Sequence, residues 1–271
     1  MISAMTMFAA LASFTSYPRV GGDTTAVRDT TAVRDTTRSL DVPPWWEASV
    51  AMAGESFVSR LASWQWHSVA LRYRGKSASH AIEVFAARRY DQWNGGVAVE
   101  ESRTVGRGAY VALRAQFAPR ATIVAHSDLS ASWYQALGHG WETVPSVRIM
   151  SFAERIPIIG LGLGRYTGLW YVAGRASDAI ERGAPGVTAT GEIRRYAGDA
   201  SSTFVDLTAS HGSDLVVLGP SSTVLRTTSS VAVRGQRMMA RGLGISVTAT
   251  YDANASLPDR RGGVLSAFVR W

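Results

Sequence analysis

Residues 243–252 read Leu243-Gly244-Ile245-Ser246-Val247-Thr248-Ala249-Thr250-Tyr251-Asp252. Leu243, Ile245, Val247, Ala249 and Tyr251 take one face of an extended chain, and the glycine, hydroxyl and carboxylate residues take the other. A period of two is the signature of a strand whose two faces meet unlike surroundings. The same alternation recurs at 109–117, 123–133, 187–194 and 203–210. No long window shows the 3.6-residue spacing of a helix. The chain is therefore all-β.

Working outward, the pattern predicts fourteen strands, with twelve still open because 92–102 alternates weakly. They fall near 47–57, 64–74, 79–89, 92–102, 107–117, 121–134, 141–152, 155–165, 168–178, 187–196, 201–210, 223–234, 241–252 and 261–271. Most run about 10–12 residues, longer than the mean globular strand of roughly 5–6. That length suits the roughly 9–11 tilted residues that cross a bilayer.

Alternation alone fits either a soluble sandwich, whose apolar faces meet in a dry core, or a membrane barrel, whose apolar face meets lipid. Three features favour a single transmembrane antiparallel up-and-down β-barrel. The longest expected connections, 179–186, 211–222 and 253–260, all follow odd-numbered strands, as extracellular loops should. Bulky aromatics gather at strand ends, where amphipathic rings sit at headgroup level. Tyr73, Tyr110, Trp133, Trp141, Tyr166, Trp170, Tyr196 and Trp271, beside Trp45-Trp46, are expected at one interface. Trp64, Trp66, Tyr90, Trp93 and Tyr251 are expected at the other. Finally, Gly263–Trp271 alternates and ends on an aromatic residue. It resembles the C-terminal signal that barrel-assembly machinery recognises in bacterial outer-membrane proteins, with Trp271 where Phe is usual.

The 271 residues carry 28 Lys+Arg against 21 Asp+Glu, a net +7, and no cysteine. Without cysteine there is no thiol catalysis or CxxC metal site. All the basic residues but Lys76 are arginine, most of them spread singly rather than clustered, so no nucleic-acid partner is expected. Residues 1–20 hold a short apolar run, Met5–Leu11, with Ala10-Leu11-Ala12 as a cleavage triplet, and are expected to be a signal-peptide-like segment. Within 21–44 the hexad Asp-Thr-Thr-Ala-Val-Arg repeats at 23–28 and 29–34 and begins again at Asp35. Too poor in large apolar residues to build a core, this stretch is expected to be a disordered linker. The barrel is then 45–271, in the cell outer membrane, with the lipid bilayer as its first partner.

Four short motifs occur in order across it: Leu71-Arg72-Tyr73-Arg74, Ala87-Arg88-Arg89-Tyr90-Asp91, Gly140-Trp141-Glu142 and Arg194-Arg195-Tyr196-Ala197-Gly198. Their spacing resembles the YaiO family of outer-membrane β-barrels over about 47–271. The resemblance implies an outer-membrane barrel and carries no catalytic residues across.

A charge facing mid-membrane lipid costs about 2–4 kcal/mol, so polar-face ionisable residues are expected to line the lumen. These are Arg72, Glu83, Arg114, His126, Asp128, Arg148, Arg175, Glu192, Arg194, Asp206, Arg226 and Arg234, with Asp206 and Arg194 a candidate cross-strand pair. Arginine outnumbers acid in that set, which points to a porin-like barrel with an Arg-rich lumen, beside the plainer reading of a salt-bridged or plugged interior. Gly160-Leu161-Gly162-Leu163-Gly164 lacks the strand–turn–helix setting of a nucleotide loop and reads as thin inward positions. His126 with Asp128, and His211 with Ser210, Ser213 and Asp214, are the only groupings that approach a hydrolase site. The second keeps a barrel hydrolase open as an alternative, beside a soluble secreted β-sandwich. No catalytic residue, metal ligand or cofactor is assigned.

Overall fold

The computed structural model describes residues 44–57, 63–89, 92–122, 124–152, 154–181, 184–197, 200–219, 222–239, 242–254 and 257–271. The signal-like segment 1–20, nearly all of the repeat linker, and Tyr90 lie outside the described residues. Fourteen strands form a closed barrel: β1 (Trp45–Phe57), β2 (Trp64–Arg74), β3 (Ala78–Arg89), β4 (Gln92–Gly106), β5 (Ala109–Phe117), β6 (Ser127–Gly138), β7 (Trp141–Ser151), β8 (Arg155–Thr167), β9 (Trp170–Glu181), β10 (Ala184–Ala197), β11 (Ala200–Gly219), β12 (Ser222–Met238), β13 (Leu243–Asn254) and β14 (Leu257–Arg270). Every strand pairs antiparallel with its chain neighbours. β1 closes on β14 in unbroken register from Glu47↔Arg270 to Phe57↔Arg260. Trp46 N–H donates to the Trp271 carbonyl at 2.9 Å, and Trp271 N–H returns the bond at 3.1 Å. Closure leaves no sheet edge, the condition for a sheet to stand in hydrocarbon.

The side chains choose between barrel and sandwich. Val50, Val69, Val84, Leu161, Val187 and Val205, from six different strands, are each more than half exposed. Their polar-face neighbours Ser68, Glu83, Gln116, Arg194, Thr208 and Thr248 are buried. An apolar surface of this extent running round the whole wall far exceeds what a soluble monomer presents to water. In lipid it costs nothing, and the polar face is enclosed.

The turns at the end that holds Trp45 and Trp271, here the terminal end, are tight. At His139-Gly140 both residues have positive φ, 50° and 79°, the type I′ geometry that matches strand twist. The distal end differs from expectation. The stretches expected as long loops, 179–186, 211–222 and 253–260, are mostly strand, and β9–β10, β11–β12 and β13–β14 turn within about two residues. Their Ser, Gly and Pro content reads as loop, yet the antiparallel ladders continue through them, since backbone pairing does not need an apolar face. β11 has 20 residues, about 66 Å at ~3.3 Å each, well beyond one bilayer crossing. The contrast in loop length therefore gives no orientation. Among the described residues, the connection that leaves the wall is 118–126, between β5 and β6.

Candidate functional site in the barrel interior

Inward positions hold two belts of ion pairs on opposite sides of the wall. On β2–β7, Arg72 donates to Glu100 at 3.0 Å, reaching across β3. Arg114 donates to Glu100 (3.2 Å) and Gln116 (3.2 Å), and lies 3.5 Å from Glu83 across β4. Arginine is long enough to span a skipped strand, about 9.6 Å at ~4.8 Å per strand. Next to this belt Arg148 grips both oxygens of Asp128, Nε–Oδ1 at 2.8 Å and Nη2–Oδ2 at 2.5 Å, the bidentate geometry that makes such pairs strong.

On β10–β12, Asp206 Oδ2 accepts two bonds from Arg234 (2.7 and 3.0 Å) and lies 3.4 Å from Arg194. Arg194 also donates to Glu192 at 2.7 Å. Both guanidinium carbons sit 4.6 Å from the ring centre of Phe204, so the pair also shares a cation–π partner. The side chains of Arg194, Asp206 and Arg234 are 3%, 6% and 10% exposed. These groups screen one another from water rather than lining a broad bore. Further pairs stand at the two ends: Arg260 with Glu55 and Asp252 distally, and Arg270 with Glu47 near the terminal end.

Of the residues expected in the lumen, Arg72, Glu83, Asp128, Arg194, Asp206 and Arg234 are buried, and Arg114, Arg148, Arg175 and Glu192 are partly so. His126 is a correction. It lies in the 118–126 connection, not in a strand; its residue is exposed, and its Nε2 contacts the Ala121 carbonyl at 2.9 Å. The side chain of Arg226 lies outside the described residues. The lumen set expected from the sequence left out the acids Glu47, Glu55, Glu100, Glu142 and Asp252, although Asp252 stands on a polar face by alternation. Glu100 shares the inward parity of Asn94 and Ala98, and Asp252 that of Ser246 and Thr248, so alternation alone would have found both.

Aromatics also enter the interior. Tyr166 and Tyr196 were expected at the membrane interface and instead face inward. Tyr166 is buried against Tyr171, with ring centres 4.5 Å apart. Tyr196 stacks edge-on to Phe204 and takes a 3.5 Å contact from Arg194. Each has the parity of the polar face, Tyr166 with Gly164 and Tyr196 with Arg194. Gly164 is what admits Tyr171: a Cβ there would stand 2.6 Å from the phenol oxygen, which donates to Glu142 at 3.0 Å. Tyr110 also faces in, stacked on Tyr134 at 4.2 Å. Tyr73, Trp133, Trp141, Trp170 and Trp271 face outward, Tyr73 against Trp46.

Trp64 and Trp66 depart from the expected distal interface for the same reason. Both lie on the polar parity of β2, buried inside the distal mouth, with Trp66 stacked on Phe85 at 4.1 Å. Ala118, Ala121 and Val124 of the β5–β6 connection pack on them. Thr122 N–H donates to Asn94 Oδ1 (2.7 Å), and its hydroxyl to Gln92 (2.8 Å), pinning the connection over the mouth.

The grouping around His211 does not assemble. His211 lies within β11 and contacts Ser229 at 2.8 Å on the outer side, whereas Ser210 meets Ser230 at 2.7 Å on the inner side. The side chain of Asp214 lies outside the described residues. Among the described residues no cluster of His, Cys, Asp or Glu could hold a metal ion.

The model of a family described as "YaiO membrane beta barrel domain" matches residues 47–214. No curated protein matches the chain. Among solved structures, OpdQ of Pseudomonas aeruginosa is 6% identical, covering 84% of this chain and 98% of its own at a TM-score of 0.49. The anion-selective porin of Comamonas acidovorans is 7% identical, with 84% and 99% covered and a TM-score of 0.45. The translocator domain of the autotransporter NalP from Neisseria meningitidis is 12% identical, with 91% and 99% covered and a TM-score of 0.44. At such identities nothing that those proteins bind or pass transfers to this chain.

Proposed function

The chain belongs to the YaiO family of membrane β-barrels, in the outer membrane, and from that premise we propose a porin-like role: a narrow polar route for small solutes, obstructed at its distal mouth. The observation that carries this reading is the interior of paired charges. A purely structural core would gain more from apolar residues, because burying an ion pair costs more desolvation than packed hydrocarbon of the same volume. An interior threaded by a narrow polar route keeps its charges, each paired with the partner that shields it. The arginines meet carboxylates at each belt, so the field along the route is small and anion preference is weak, less than an Arg-rich lumen alone implies. The connection over Trp64, Trp66 and Phe85 supports a low resting conductance.

Residues 1–20 serve in this reading as the export signal and 21–44 as a tether. The C-terminal segment 263–271, the end of β14 with Trp271 after it, is what assembly machinery recognises in this reading. Planar-bilayer recording of the refolded chain tests the route. Wild type should show small, weakly selective steps, and shortening the 119–125 connection should enlarge them several-fold. Silence from both proteins would make the barrel structural and end the porin-like reading.

A further inference from the structure

Beyond the interior, the outer wall at the terminal end holds two arginines laid on tryptophans. Arg165 of β8 lies 5.1 Å from the ring centre of Trp141, its register partner on β7. Arg195 of β10 lies 5.6 Å from the ring centre of Trp170, its partner on β9. All four side chains are exposed on the wall. Arg165 pairs with Val172 and Arg195 with Trp170, so the arginines flank β9 with backbones about 12 Å apart, from strand spacing and rise. Arg165 leans on Trp141 of β7 and Arg195 on Trp170 of β9; turned toward β9, two side chains of arginine length together span that distance and can share one anion. Tryptophan holds the headgroup depth in a bilayer, which sets the two guanidinium groups at phosphate level. Among the described residues their contacts are these rings rather than carboxylates.

A second observation lies farther toward mid-membrane on the same outer wall, past the outward pair Val172 and Ile193. Gly174 and Gly191 are register partners that face out, and nothing stands within 4 Å of where either Cβ would be. Ala176 and Ala189 continue this thin strip. Leu161 and Leu163 of β8 wall one side, at Leu161↔Ala176 and Leu163↔Gly174. On β11 the register partner of Gly191 is Ala209, so the thin surface continues there, and Leu207 stands one outward position nearer the arginines, beside Ile193. The strip is a shallow furrow bordered by the β8 leucines, which begins past Val172 and Ile193 and runs toward mid-membrane, shaped for an acyl chain.

We propose that this surface is a binding site for one anionic glycerophospholipid, with its phosphate between Arg165 and Arg195 and a chain in the Gly174–Gly191 furrow. The headgroup charge selects it: a zwitterionic lipid offers the same phosphate but brings its own cation to the arginines. The apolar furrow selects lipid over free phosphate.

Native mass spectrometry of the full refolded chain, released from detergent with equal phosphatidylglycerol and phosphatidylcholine, tests the site. Each basic residue near an anionic headgroup contributes about fivefold in affinity. Wild type should thus favour phosphatidylglycerol by about twenty-five-fold, and R165Q/R195Q should lose the preference. R237Q, an exposed arginine elsewhere on the wall, should keep it. G174L/G191L should weaken retention of the lipid while the heat-dependent gel shift of a folded barrel persists. No preference in wild type, or one retained in R165Q/R195Q, overturns the proposal. So does competition by inorganic phosphate, which would make the site a free-anion site. A dimer that sheds lipid on forming would assign the furrow to a second copy and overturn it too.

Discussion

Asp206→Asn is the sharpest probe of the interior. One carboxylate oxygen takes two bonds from Arg234 and stands 3.4 Å from Arg194. All three side chains are at most 10% exposed, so water compensates little for a missing charge. Arg194 retains Glu192 at 2.7 Å, and the main loss falls on Arg234, left beside a second guanidinium over the same Phe204 ring. Removing one partner of a buried pair costs about 3–5 kcal/mol, roughly a hundred- to several-thousand-fold in the ratio of folded to unfolded barrel. Urea titration of folding into detergent micelles or thin bilayers measures it. D206N/R234Q removes the stranded cation as well and should recover about 2 kcal/mol, the coupling expected of groups in direct contact. A loss below about 1 kcal/mol for Asp206→Asn, the range of exposed pairs, would refute the reasoning. The belt would then be bathed in water, and the bore wider than its side-chain shielding implies.

Three further outcomes follow from the same geometry. Leu161→Arg places a charge on the lipid-facing wall where the side chain is 61% exposed, and should destabilise the barrel by about 2–4 kcal/mol in the same titration. Gly164→Val drives a side chain into the Tyr171 ring, breaks its bond to Glu142 and should cost about 1–3 kcal/mol by overpacking, read as a lower denaturant midpoint. Trp66→Ala removes the ring stacked on Phe85 and the floor under the 118–126 connection. It should cost about 3–5 kcal/mol and speed tryptic cleavage at Arg120, seen as a nicked band before global unfolding.

The strand count and the identity of the two faces were legible because alternation is local: Leu243 to Tyr251 determine their strand without reference to any other. The interior was less so. Trp64, Trp66, Tyr166 and Tyr196 were assigned by residue type, since aromatics prefer interfaces, although their parity with Arg72, Gly164 and Arg194 pointed inward. Parity is the stronger constraint, because reversing one side chain would turn a whole strand over. The pairing of Arg72 with Glu100, two strands apart, depends on the register of β2, β3 and β4 together, which no single strand encodes. The distal hairpins were hidden for another reason. In 179–186, 211–222 and 253–260 the alternation fades among Ser, Gly, Pro and charged residues, and what remains reads as loop.

The β1–β14 seam also sets an order of events. Every other ladder joins segments adjacent in the chain, whereas this one brings Glu47 beside Arg270. The entropy of gathering so long a span must be met before its first bond forms, while hairpins zip early. Until then the sheet has two raw margins whose amide groups hydrocarbon cannot solvate. Immersion and sealing must therefore proceed together, and the tempo of assembly is set by how fast its first and final ribbons meet.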